Sequence, residues 1–212
     1  MSDVKDLLAR INAEVSAHRE KVAQLRTEVT EEAKGRQERL VKLEQVFEQL
    51  RGVWTPRLQS LISQFKDSVQ VTPTVTPGRR QGKFEFKSPV AHITLRFTAS
   101  TDSEVKNVVL AYDLDILPIY MQFEKHVEVA FPLDQVDEEA AANWFDDRIV
   151  GFVKVYLSLH ENEYYLRDHM VEDPVAKVKF PKFVAGATLE RGGKTYYFIS
   201  EDTRREFEKS SP

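Results

Sequence analysis

The chain has no cysteine among its 212 residues. That single absence excludes disulfides, thiolate zinc sites, iron–sulfur clusters and a cysteine nucleophile. Glycine is scarce: 8 occur, where average usage of about 7% would give roughly 15. No uncharged apolar run approaches the roughly 18 residues of a membrane-spanning helix. No apolar h-region follows the charged start at Asp3, Lys5 and Asp6, so no secretory signal is read there. Basic residues are not in excess either, with Lys+Arg 30 against Asp+Glu 34 and a net charge of -4. A strongly basic nucleic-acid binder is thereby excluded. What is present is charge, 30% of residues, and enough apolar content, 42%, for a core. High charge with little glycine points to long helices, and the whole composition to a cytoplasmic chain with no membrane segment.

Residues 1–70 read as a helical coiled-coil region. Val4, Leu8, Ile11, Val15, His18, Val22, Leu25 and Val29 alternate in steps of four and three, a heptad seam. Asp3 and Asp6 would complement the helix dipole at its start. A second apolar series runs through Leu40, Leu43, Phe47, Leu50 and Trp54. The step from Val29 to Ala33 is a stutter if the helix is continuous, whereas Gly35 offers a hairpin turn; a break or bend near Gly35 is favoured. Thr55-Pro56 reads as a cap and restart, with a third helix to about Val69. Either a folded-back hairpin or a second copy could cover the seam, and a homodimer is expected because a long seam left alone exposes apolar surface. His18 lies on that seam, where a polar residue tunes register.

Residues 71–83, with Pro73, Pro77, Gly78 and Gly82, read as an extended linker. Its Arg79-Arg80 pair and the later Lys177, Lys179 and Lys182 read as solvated charge. Over 84–168 the apolar period changes from 3.6 to 2. Ile93, Leu95 and Phe97 alternate with His92, Thr94 and Arg96; Leu110, Tyr112, Leu114 and Ile116 alternate with Ala111, Asp113 and Asp115. Ile119–Phe123 and Val127–Phe131 continue the pattern. This predicts an antiparallel sheet, wet on one face. Asp137 caps a helix to about His160 whose apolar side, with Phe145, Ile149, Phe152, Tyr156 and Leu159, would cover the other face. Trp54, Trp144 and the Tyr164-Tyr165 pair read as core or subunit contacts. The fold class is α+β.

Residues 169–212 read as a separate module: strands over 187–191 and 194–199 around Gly192-Gly193, then a helix capped by Ser200 with Phe207 turned back onto the hairpin. Asp173-Pro174-Val175, Gly193-Lys194-Thr195-Tyr196-Tyr197-Phe198, Ser200-Glu201 and Phe207 together resemble the YHS domain family, a treble-clef-like metal-binding module of metal-handling proteins. The family's cysteine and methionine positions fall on Ala176, Val178, Ile199 and Thr203, none a thiolate. The resemblance implies a fold without the family's metal chemistry, with Val178 and Ile199 packing where ligands would meet.

No other motif supports catalysis. His160, Glu163 and His169 lack the helical i, i+4 spacing of a zinc site. Gly193-Lys194-Thr195 mimics the end of a P-loop, but Thr188 stands where its first glycine is needed. Asp113 and Asp115 share a strand face with no histidine recognised beside them. The expectation is a non-catalytic interaction or assembly protein with an unidentified protein partner and no cofactor, the alternative being a metal-handling or metal-sensing protein.

Overall fold

A computed structural model describes residues 2–210. It opens on one helix, α1 (Ser2–Phe65), of 64 residues. A short 3-10 turn leads into five strands: β1 (Val69–Thr76), β2 (Arg79–Phe86), β3 (His92–Thr101), β4 (Asn107–Leu117) and β5 (His126–Pro132). They pair in sequence order as one antiparallel meander. Helix α2 (Glu138–Leu159) follows, then one turn of helix, α3 (Glu163–Leu166). The tail holds two small ladders, β6 (Met170–Glu172) with β7 (Lys179–Pro181) and β8 (Ala187–Arg191) with β9 (Lys194–Phe198), and ends in α4 (Glu201–Ser210).

Two expected interruptions of α1 are absent. Gly35 lies inside the helix. One glycine costs only about 1 kcal/mol against alanine, and just beyond it Arg36 and Arg39 donate to the carbonyls of Ser103 (2.6 Å) and Glu104 (3.0 Å). Pro56 is also internal. The proline removes one backbone donor, yet Leu50 and Val53 before it and Leu61 after it are buried in the same core. Burial on both sides holds the two halves in line. The helix stops at Phe65, short of the expected Val69.

The expected linker is instead the hairpin β1–β2, so the sheet begins at Val69 rather than at residue 84. Pro73 is tolerated because β1 is an edge strand, where a missing donor breaks no ladder. Pro77 and Gly78 make the turn, with Gly78 at φ +71°, the order a type II turn requires. Ile119–Phe123 is not a strand; the chain there loops from β4 to β5. Arg80, expected in solvent, lies with its guanidinium 5.1 Å from the Phe47 ring and forms an ion pair with Glu44.

In β4 the alternation is as its pattern predicts, but in β3 Thr94 and Thr98, on the face expected to be wet, are buried as well. Val108, Leu110, Tyr112, Leu114 and Ile116 of β4 are buried, and every intervening side chain is at least partly exposed. The second half of α1 and the whole of α2 cover this apolar face, with Phe47, Leu50, Phe145 and Phe152 in one core. Asp137 caps α2 by accepting from Ala140 N (2.9 Å). Arg57 grips Asp146 with two hydrogen bonds (2.9 and 3.2 Å), joining the helices. Trp54 and Trp144 pack at the core's margin. Tyr165 is buried, donating to Pro118 O (2.8 Å) and accepting from Tyr120 N (2.9 Å), whereas Tyr164 is exposed.

Candidate interaction surfaces

The first half of α1 leaves the body. Every side chain from Val4 to Lys34 is exposed. Seven of the eight seam residues stand out as exposed apolar groups, from 43% for Val15 to 67% for Val29. His18, the eighth, is exposed as well. At about 1.5 Å per residue, the stretch projects roughly 50 Å. The helix positions the seam only through its spacing, because no contact with the body holds it.

The uncovered face of the sheet carries a band of charge. Lys83 pairs with Glu85 (2.9 Å), Arg96 with Asp115 (2.7 Å), and His126 Nδ1 with Asp113 Oδ1 (2.7 Å). Asp113 therefore does have a histidine partner. It is supplied by the β4–β5 register, which sets Asp113 opposite His126. The hydrogen bond to Asp113 holds the His126 pKa above its ordinary 6.5, with Glu128 adding to the effect. An exposed imidazole–carboxylate pair can exchange a proton, but no hydroxyl nucleophile has a hydrogen bond to His126 among the described contacts. On the opposite face, a mainly apolar groove of about 480 Å³ lies between α1 and the β1–β2 hairpin, with Trp54, Leu58, Val75 and Phe84 among its walls.

In the tail, Val178 and Ile199 are 49% and 42% exposed, so they do not pack as a core in place of ligands. Asp173 is the organising group. It is fully buried, and its Oδ1 accepts from Val175 N (2.8 Å) and Ala176 N (3.0 Å). Its Oδ2 accepts from Ile199 N (2.9 Å) and Thr203 Oγ1 (2.7 Å). Ala176, Ile199 and Thr203, three of the four positions lacking thiolates, thus meet at one carboxylate. Burial pushes the Asp173 pKa up, but these donors outweigh it and hold the group below its ordinary 3.8. An Asp-Pro pair signals a local turn; nothing in the sequence signals donors 26 and 30 residues further on.

The remaining candidates separate. His160 and His169 each pack on the Phe183 ring, at 6.1 and 6.4 Å, and no hydrogen bond among the described contacts joins them. His160 also lies 2.9 Å from Tyr156 O through Nδ1. Glu163 is exposed in the first turn of α3. Among the described residues no group of three or more His, Asp or Glu is gathered as a metal site would need. Gly192 and Gly193 form the β8–β9 turn at φ +58° and +75°, not a phosphate loop. Phe207 stacks on Tyr196 and Phe198 as expected. Compared with protein-family models, curated proteins and solved structures, the chain matches none.

Proposed function

We propose that this chain is a non-catalytic assembly protein: its N-terminal helix self-associates, and its body presents the charged sheet face and the tail to a protein partner. One observation carries the reading. A heptad-spaced apolar stripe lies open to solvent along a helix whose other faces are polar. Contiguous exposed apolar surface of this kind marks an interaction site, and heptad spacing is the geometry by which helices pack on helices. The tail, read as a YHS-like module without thiolate ligands, is in this view a scaffold tied by Asp173.

Sedimentation velocity tests the reading. The wild-type protein is expected to sediment as a dimer, and Ile11→Asp/Leu25→Asp as a monomer with an unchanged near-ultraviolet spectrum of the body. His160→Ala/His169→Ala should leave the dimer intact. A monomeric wild type, or a dimer indifferent to the seam substitutions, refutes it.

A further inference from the structure

We propose that the seam pairs with that of a second copy running in the opposite direction, residue i beside residue 33 − i; this rests on the assembly reading and adds the partner's orientation. Azimuth decides the direction. Val4, Ile11, His18 and Leu25 occupy d positions of the heptad, and Leu8, Val15, Val22 and Val29 the a positions. Counting on in sevens, the next a positions are Arg36, Leu43 and Leu50, and the next d positions after Glu32 are Arg39, Val46 and Val53. Leu43, Val46, Leu50 and Val53 are four of the six residues α1 buries in the body, with Phe47 and Leu61 the others. Arg36 and Arg39 are its first hydrogen bonds to the β3–β4 turn. On a wheel of about 3.6 residues per turn, the midpoints of the open stripe and the covered stripe lie roughly 70° apart. The body therefore lies on the seam's side of the helix.

That placement disfavours a parallel pair. Side by side in one direction, each seam faces the other helix, so from residue 36 onward each body would project toward the other and both would claim the same space. Reversing one copy removes the conflict. Each body then lies past the Val4 end of the other copy's seam, and the two are held apart along the axis. The layers become Val4 on Val29, Leu8 on Leu25, Ile11 on Val22 and Val15 on His18 of the second copy, so the whole apolar stripe is covered. Flanking charges nearly cancel: Glu14 meets Lys21 of the second copy, while Lys5 meets Arg26. Steric exclusion by the bodies, not charge, sets the orientation.

The absence of cysteine makes the test direct. Leu8→Cys and Leu25→Cys variants of the full chain are purified, mixed in equal amounts and oxidised, and the linked peptides are identified by mass spectrometry. Antiparallel pairing predicts an 8-to-25 disulfide in the mixture and almost none in either variant alone. Two copies of position 8 would then lie about 26 Å apart along the axis, far beyond the roughly 4.4–6.8 Å between Cα atoms that a disulfide spans. Both positions are exposed in the single chain, so neither substitution threatens the fold. Unoxidised samples are sedimented in parallel. A dimer giving the 8-to-25 bond supports both proposals. A dimer giving 8-to-8 and 25-to-25 bonds, or no bond, overturns the orientation and leaves assembly standing. A monomer overturns both.

Discussion

Replacing Asp173 by alanine should melt the tail and leave the sheet in place. Hydrogen bonds to an ionised group contribute about 1.5–3 kcal/mol each. Ala176 and Ile199 belong to exposed residues, so their amides can turn to water once the carboxylate is gone. Val175 and Thr203 belong to half-buried residues, and losing their acceptor costs about 3–6 kcal/mol together. Against this, the tail buries two aromatic side chains, Phe180 and Phe198, outside the main core. At about 1.5–3 kcal/mol per buried large side chain, they contribute about 3–6 kcal/mol. The loss equals the gain, and two-stranded ladders are marginal by themselves. Hydrogen exchange read by mass spectrometry is the assay. Amides of β8 and β9 should exchange at least about 100-fold faster in Asp173→Ala, the equivalent of some 3 kcal/mol, with β3 and β4 unchanged. Asp173→Asn, which keeps one acceptor oxygen, should fall between. Because the folded pKa is depressed, the stabilisation is complete above the ordinary value of 3.8 and is lost as pH falls through the lower folded value. Acid should therefore release the tail. Tail protection that survives Asp173→Ala within about tenfold would refute the reasoning.

Three further outcomes are expected. His126 should titrate above 6.5 by NMR and return toward it in Asp113→Asn; its contribution is present below pH 6.5 and lost as pH rises through the raised value, and an unchanged pKa in the variant would remove Asp113 as the cause. Gly186→Ala should destabilise the tail by about 1–3 kcal/mol, since an added Cβ would lie 2.6 Å from Ile199 O; unchanged exchange in β8 and β9 would contradict it. Phe152→Ala should cost about 3–5 kcal/mol in chemical denaturation, because the ring is fully buried against Phe65, Phe86 and Tyr156; a loss under 1 kcal/mol would show that the α1–sheet–α2 core is not as described.

Features decided within a few residues were open to reading in the sequence. The two-residue alternation of β4, the Asp137 cap and the Gly192-Gly193 turn all belong to that group. Features decided by distant partners were not. Gly35 and Pro56 carry local stop signals that packing of Leu50, Val53 and Leu61 on the core overrides. The β1–β2 hairpin was hidden because Pro73 is harmless only on an edge strand and Pro77-Gly78 only in a type II turn, a context set by the rest of the sheet. Of the candidate surfaces, the seam was legible as a period. The Asp113–His126 pair needed the register of two strands, and the Asp173 cluster needed the tail's fold. Arg80 looked like linker charge until Glu44 and Phe47, more than thirty residues earlier, were placed beside it.

One consequence of the uninterrupted α1 concerns insertions and deletions. Between Thr30 and Gly35 the helix touches nothing on the seam side of the body, yet it fixes the phase between them. Each residue added there turns the seam about 100° and advances it about 1.5 Å. A seven-residue change returns it to within roughly 20° of its starting direction, whereas a two-residue change points it nearly away. This short stretch, without any conspicuous side chain, acts as a gear. Apart from Glu32, which pairs with Arg39 (2.7 Å), its composition is free to drift, but its length is quantised.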